Sequence, residues 1–89
     1  MSEHINEKIN VVAVYNRNIK PHSFFPWRIK WQGREYLLKK ITFWRKEKQG
    51  RDTVHVFYAT DGSIDFCLEF NAELLTWTLK QIEDGTPIQ

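Results

Sequence analysis

The sequence has few of the features that mark a secreted or membrane-spanning protein. It has one cysteine, Cys67, so no disulfide can form within the chain. No apolar run approaches the roughly 20 residues that a membrane-spanning helix needs. No charged segment followed by an apolar one resembles a signal peptide. These absences predict a cytoplasmic domain that does not enter a membrane.

The sequence also lacks the spacings that indicate catalysis or metal binding. Its three histidines, His4, His22 and His55, are scattered, and no serine, cysteine or carboxylate pair forms a recognisable arrangement with them. One cysteine and three dispersed histidines do not match metal-ligand spacing either. None of the four glycines lies within ten residues of another, so there is no glycine-rich phosphate loop. We expect a non-enzymatic protein with no cofactor.

What the sequence has instead is aromatic residues, with four Trp, three Tyr and six Phe in 89 residues. A chain of this length makes one domain, which buries about 60–70% of the surface of its unfolded chain. Large side chains are needed to build a stable core at that size. We therefore expect one domain over residues 1–89, with the ordered part spanning roughly 8–84.

The most regular pattern lies at residues 25–31, where Phe25, Trp27, Ile29 and Trp31 occupy every second position. Alternation with a period of two is typical of a half-buried strand. Gln32-Gly33 follows, and glycine tolerates the positive φ that a two-residue hairpin turn needs.

This turn predicts that Trp31 pairs with Arg34 and that Lys30 pairs with Glu35. Opposite charges across a strand pair stabilise it by about 0.2–1 kcal/mol. One face of the hairpin then collects the core candidates, which are Trp27, Ile29, Trp31, Tyr36 and Leu38.

Five further segments complete the predicted sheet. Residues 8–15 are rich in β-branched side chains and predict a first strand. The second hairpin arm, 34–46, is long and its alternation slips, which predicts a β-bulge near Lys39-Lys40. That bulge would turn Tyr36, Leu38, Ile41 and Phe43 inward and Trp44 outward.

A second hairpin is predicted around Asp61-Gly62, with Ala59 opposite Ile64 and Phe57 opposite Phe66. Residues 72–83 fit a strand through the alternation of Leu75, Trp77 and Leu79, and also fit a helical stripe. Thr-Trp-Thr in the middle favours the strand. The fold class is therefore all-β and mainly antiparallel. We expect a single small curled sheet or partly open barrel of about six strands, with the C-terminal segment as strand or helix.

Charge is distributed unevenly along the chain although the net charge is only +2. Residues 20–51 carry +8 and residues 52–89 carry −6. A chain this polarised is expected to have a basic side and an acidic side, which bears on its partners more than on its fold.

The stretch from Pro26 also resembles a family of small bacterial domains with the signature P-x-x-[aromatic or aliphatic]-x-W-x-G-R-x-Y, followed by a hydrophobic strand and a tryptophan. The matching positions are Pro26, Ile29, Trp31, Gly33, Arg34 and Tyr36, with later landmarks at Trp44, Asp61-Gly62 and Trp77-Thr78-Leu79. The similarity covers roughly residues 11–84. Such domains are similar to ones encoded near, or attached to, bacterial proteins of translesion DNA synthesis. The resemblance brings no established activity and only favours DNA metabolism as the setting.

Two functions remain open at this point. The first is weak, sequence-tolerant binding of DNA or RNA, because basic residues neutralise phosphates and aromatic faces stack on bases. The second is a protein adaptor, for example for a DNA-repair protein, that docks a charged partner through its basic face or an edge strand. The candidate binding residues are Arg28, Lys30, Arg34, Lys39, Lys40, Trp44 and Lys46. The oligomeric state is left open by the sequence.

Overall fold

The computed structural model of the protein describes residues 2–18 and 24–84, and all regular elements in these two ranges are strands. The two ranges contain seven of them. They are β1 (Ser2–Tyr15), β2 (Phe24–Trp31), β3 (Arg34–Leu37), β4 (Lys40–Gln49), β5 (Asp52–Thr60), β6 (Ile64–Asn71) and β7 (Thr76–Asp84). The predicted all-β, antiparallel fold class is confirmed.

The strands form one curled sheet, a half-barrel, in the order β3-β2-β1-β7-β6-β5-β4. The long first strand joins its two halves. Residues 2–9 of β1 pair with β7, whereas residues 10–15 pair with β2. Between His4 and Glu7 the ladder shifts at Asn6, which has a φ of 55°. A bulge of this kind bends a strand, as curling requires.

The first strand begins earlier than the sequence predicts. Residues before Lys8 were expected outside the ordered part, yet Glu3 pairs with Ile82 and Glu7 with Leu79. Among the described strands, residues 2–9 pair only with β7, and an edge of this kind tolerates polar side chains. Its register is set by tertiary pairing, which local propensity does not reveal.

The first predicted hairpin is confirmed. Trp31 pairs with Arg34, Lys30 with Glu35 and Ile29 with Tyr36. Gln32 and Gly33 have φ values of 52° and 77°, the positive pair that a type I′ turn needs.

The long arm after this hairpin is two strands. β3 ends at Leu37, and the next two residues extend the β2–β3 and β4–β5 ladders in turn. The Leu38 N–H donates to the Trp27 carbonyl and the Lys39 N–H donates to the Thr60 carbonyl, both at 2.8 Å. The predicted bulge at Lys39-Lys40 is wrong, because the ladder shift lies between Ile41 and Phe43.

The second hairpin keeps its predicted faces but shifts its register by two residues. Ala59 pairs with Phe66 and Phe57 with Leu68. The Asp61 carboxylate accepts hydrogen bonds from the N–H groups of Ser63 and Ile64, both at 2.8 Å, which widens the turn. A shift of two residues leaves every side chain on its original face.

The C-terminal segment is a strand, so the helical alternative is not adopted. β7 pairs with β6 over Thr76–Asp84, with Phe70 opposite Trp77. Leu74 and Leu75 belong to the preceding turn rather than to the strand.

The core fills the concave side of the curled sheet. Its buried members are Ile29, Leu38, Phe57, Ala59, Phe66, Leu68, Trp77 and Leu79. Phe24 joins them through ring contacts with Phe57, Phe70 and Trp77 at 5.1–6.0 Å between centroids. Trp27, predicted as a core residue, lies at a ladder shift in β2 and is exposed.

Candidate functional site

The seven candidate binding residues fall into two groups on different parts of the sheet. Arg28, Lys30 and Arg34 lie on the β2–β3 hairpin, and the other four lie on or just before β4. In the strand order, β3 and β4 are the two opposite edges. One continuous basic surface made of all seven residues is therefore not formed along a single strand pair.

The two arginines of the first group already contact partners within the chain. Arg28 lies 3.6 Å from the Glu35 carboxylate, and its guanidinium is 5.4 Å from the centre of the Trp27 ring. Arg34 lies 5.7 Å from the Tyr36 ring. Such exposed contacts are individually weak. Glu35 lowers the net charge of this hairpin to +2, and the ring contacts occupy the two arginines.

Trp44 lies on the inner face of β4, which corrects the predicted outward position. It pairs with Phe57, and its ring stacks on His55 at 6.1 Å with an interplanar angle of 22°. The cause is the ladder shift at Thr42, which turns Phe43 outward instead. There Phe43 meets Tyr58 edge to face at 5.7 Å.

The four residues of the second group are not one patch. Lys40 pairs with Thr60 at the start of β4, and Lys46 pairs with His55 further along the strand. Six residues of extended chain separate these two lysines by roughly 20 Å. Lys39, Lys40, Trp44 and Lys46 therefore do not form one cluster.

A smaller arrangement replaces it on the inner face of β4. Trp44, Lys46 and Lys48 occupy alternate positions, and we call these three residues the β4 strip. All three are exposed, with 39% of Trp44 accessible. Lys48 is absent from the sequence-based candidates, although its spacing of two from Lys46 was a signal that could have found it.

His55 packs against Trp44 on the side of the core. Its ring lies between Trp44 and a group of phenylalanines, with centroids 6.0 Å from Phe24 and 6.2 Å from Phe70. The Nδ1 atom is buried and has no hydrogen-bond partner among the described residues. Burial, and to a smaller extent the charge of Lys46, lower the pKa of His55 below its ordinary value of 6.5. The neutral imidazole is thus favoured beneath the tryptophan.

The outer face of β4 is different in character. Arg45 Nε donates to Glu47 Oε1 at 2.8 Å, and the Gln49 amide donates to the other Glu47 oxygen at 3.0 Å. The hydrogen bond from Arg45 lowers the pKa of Glu47. The arginine on this face is therefore neutralised locally, while the strip on the inner face carries two lysines.

Cys67 and His55 lie on opposite faces of the sheet, since Cys67 pairs with outward-facing Tyr58. Burial raises the pKa of the Cys67 thiol, which reduces the thiolate that a nucleophile needs. In residues 2–18 and 24–84, no group of three or more His, Cys, Asp or Glu side chains could hold a metal ion. The same part of the chain contains no helix able to cross a membrane.

Comparison of the chain with protein-family models, with curated proteins and with solved structures finds no match. The resemblance of the Pro26–Tyr36 signature to small bacterial domains therefore stays a prediction.

Proposed function

We propose that this domain is a non-enzymatic module that binds single-stranded nucleic acid weakly and without sequence preference. The observation that carries the proposal is the exposed Trp44 ring, which stacks on His55 and shares one strand face with Lys46. An aromatic platform beside cations is the usual combination in proteins that bind single strands.

The β4 strip offers both contributions to single-strand binding, which are base stacking and phosphate contact. Stacking of one base on an aromatic ring contributes about 1–3 kcal/mol and tolerates any base. Side chains two residues apart on a strand face are roughly 6.6–6.8 Å apart, so Lys46 and Lys48 can follow the phosphates of a strand that stacks on Trp44. An ammonium is a point charge without the planar fork of arginine, which fits phosphate contact better than base recognition.

His55 gives the platform its orientation. The imidazole lies nearly parallel to the indole and is held by the core phenylalanines beneath it. A ring fixed before binding loses less side-chain entropy when a base stacks on it.

The test compares pairs of variants by fluorescence anisotropy with a labelled oligonucleotide at several salt concentrations. Trp44→Ala should weaken binding by about 1–3 kcal/mol and leave the salt slope unchanged. Trp27→Ala, which removes an equally exposed tryptophan from β2, is its matched control and should bind as the wild type does.

A second comparison tests the phosphate contacts with two double variants. Each removes two positive charges, one pair from the β4 strip and the other from around the start of β4. Lys46→Gln with Lys48→Gln should reduce the slope of log K against log salt by roughly 1.4, or about 0.7 for each phosphate that is no longer neutralised. Lys39→Gln with Lys40→Gln should change it less. Absence of binding by the folded wild type at tens of micromolar in low salt would overturn the proposal.

A protein adaptor is the second candidate, and the edge position of β4 favours it. β4 is ten residues long and lies at one end of the strand order, and among residues 2–18 and 24–84 only β5 pairs with it, so its other side can accept an added strand. Competition separates the two functions. An unrelated polyanion of similar length should displace nucleic acid from the strip but should not displace a strand paired with the β4 backbone.

The signature resemblance favours bacterial DNA metabolism as the setting of either function, in the cytoplasm, with a DNA-repair protein as the expected protein partner. Affinity capture from the native host tests this setting. Recovery of replication or repair proteins would support it, and recovery of envelope proteins alone would contradict it.

A further inference from the structure

The turn between β6 and β7 presents two leucines to solvent. Leu74 is 64% exposed and Leu75 is 73% exposed. The turn is well fixed, because the Asn71 side-chain oxygen accepts from the N–H groups of Glu73 and Leu74 at 2.9 and 3.0 Å. The Leu75 N–H donates to the Asn71 carbonyl at 2.7 Å. We call Glu73, Leu74 and Leu75 the leucine tip.

Leu75 is also in an unfavourable backbone conformation. Its φ is 57°, in the left-handed region where a side chain such as leucine is strained and asparagine or glycine is preferred. An exposed leucine at such a position contributes little to the fold of the isolated chain. Residues kept in strained conformations often act in binding, which makes the tip a candidate contact surface.

A groove that suits the tip lies along the β1–β2 pair. Val12 is its exposed apolar side chain, whereas Ile29 is buried and Val11 packs partly against the core. Arg28, Lys30 and Glu35 are its charged members. Its volume is about 170 Å³. A cavity of about 150 Å³ can hold benzene, so the groove has room for a leucine side chain lying against Val12. Val12 is 44% exposed and leaves the lining open to a partner.

The tip and the groove are neighbours on the surface. A second depression, of about 320 Å³, lies between Leu75 and the segment Lys8–Val11 of β1. Asn10 and Val11 line both this depression and the β1–β2 groove. Two copies related by a two-fold axis near Asn10 could therefore place each tip in the groove of the other, which is a closed, reciprocal contact.

The charges of the two surfaces are complementary. Glu73 stands beside the leucines, whereas Arg28 and Lys30 flank the groove and Glu35 offsets only one of them. The tip belongs to the half of the sequence that carries −6, and Arg28 and Lys30 belong to the segment that carries +8. An anionic lipid surface is disfavoured as the occupant, because Glu73 would face it.

We propose that a second copy of this chain covers this surface, and that the protein forms a two-fold homodimer in which each leucine tip enters the β1–β2 groove of the partner. The contact is small, so the dimer is weak and reversible. We expect a dissociation constant of roughly 10–100 μM, typical of interfaces below the standard size.

Sedimentation equilibrium of the full chain measures this directly. Over loading concentrations from about 5 to about 500 μM, the wild type should pass from its monomer mass toward twice that mass. The tip variant, Leu74→Ser with Leu75→Asn, and the groove variant, Val12→Glu, should each weaken the dimer at least about tenfold. Phe43→Ser removes an exposed apolar side chain from β4, at the far end of the strand order from the groove, and should dimerise as the wild type does.

Mixing the two variants makes the test specific. The tip variant retains an intact groove and the groove variant retains an intact tip, so one of the two reciprocal contacts is restored in a mixed dimer. A fluorescently labelled tip variant should therefore associate with the groove variant more tightly than either variant associates with itself. A mixture no tighter than its components would overturn the proposal, as would a wild type that stays monomeric throughout.

Thermal unfolding of the monomeric variants checks the strain argument. Leu75→Asn should raise the melting temperature, because asparagine tolerates the left-handed conformation better than leucine does. A lower melting temperature would mean that Leu75 is held by packing within its own chain, and the tip would then lose its support as a docking element.

Discussion

β4 and β5 are paired over their full length, yet their surroundings are opposite. In β5, Val56 and Phe57 are 1% and 0% exposed although they lie on different faces of the sheet. In β4, no side chain is buried. Both strands contain adjacent aromatic residues, so composition does not explain the difference. Position does, because among the described strands β5 has a neighbour on each side and β4 has only one.

The edge position of β4 is the reason that the candidate site lies there. A strand inside the sheet uses its side chains for packing, whereas an edge strand can offer a ring, cations and free backbone groups to a partner. The lysines and arginine of β4 also discourage edge-to-edge aggregation, which an exposed strand risks. The same charges thus protect the edge and define the proposed binding surface.

The largest expected effect contrasts the two strands directly. Phe57→Ala should destabilise the domain by about 3–5 kcal/mol, since it removes a fully buried aromatic from the centre of the core. Phe43→Ala on β4 should cost less than about 1 kcal/mol, because Phe43 is already half exposed. Urea unfolding followed by circular dichroism measures both. Equal losses would mean that the outer Phe43–Tyr58 contact is as important as the core.

A smaller contrast concerns hydrogen bonds at the strand ends. Asn71→Ala should cost about 1–3 kcal/mol, because it removes the two bonds to the tip backbone and the 3.0 Å bond from the Asn71 amide to Asp52. Gln49→Ala, at the exposed end of β4, should change the free energy of unfolding by no more than about 0.5 kcal/mol. If the two substitutions lowered the free energy of unfolding equally, the end of β4 would be as important for stability as the β6–β7 turn.

The smallest expected effect is a pH dependence from His55. Because the folded protein lowers the pKa of His55 below 6.5, the unfolded chain binds more protons between the two pKa values. His55 should therefore contribute stability above about pH 6.5 that is lost as the pH falls through its folded pKa. His55→Phe should flatten this part of the stability profile. An unchanged profile would assign the titration to other groups.

Much of the architecture can be predicted from local signals. The alternation of residues 25–31 and the Gln32-Gly33 turn suffice for the first hairpin, since a two-residue turn with positive φ permits few registers. Asp61-Gly62 identifies the second hairpin and its faces but not its register. The Asp61 carboxylate bonds two backbone N–H groups, and this bonding sets the turn length.

The candidate site could be predicted only in part. Trp44 and Lys46 are identifiable as exposed aromatic and basic residues, but their face depends on one extra residue at Thr42, and a bulge can be placed at several positions along an irregular strand. The role of His55 beneath Trp44 depends on Phe24 and Phe70, which come from other strands. Local patterns carry no information on such contacts.

The sequence by itself determined the all-β fold, the first hairpin with its register, the aromatic core and the polarity of charge along the chain. These properties follow from the period of the side chains and from turn residues, which act over a few positions. The tertiary structure alone decided that β3 and β4 are the edges, that β1 divides its pairing between β7 and β2, and that Trp44 faces inward. Each of these depends on how distant strands meet as the sheet curls, because neighbours in the sheet, rather than neighbours in the chain, decide which face is buried.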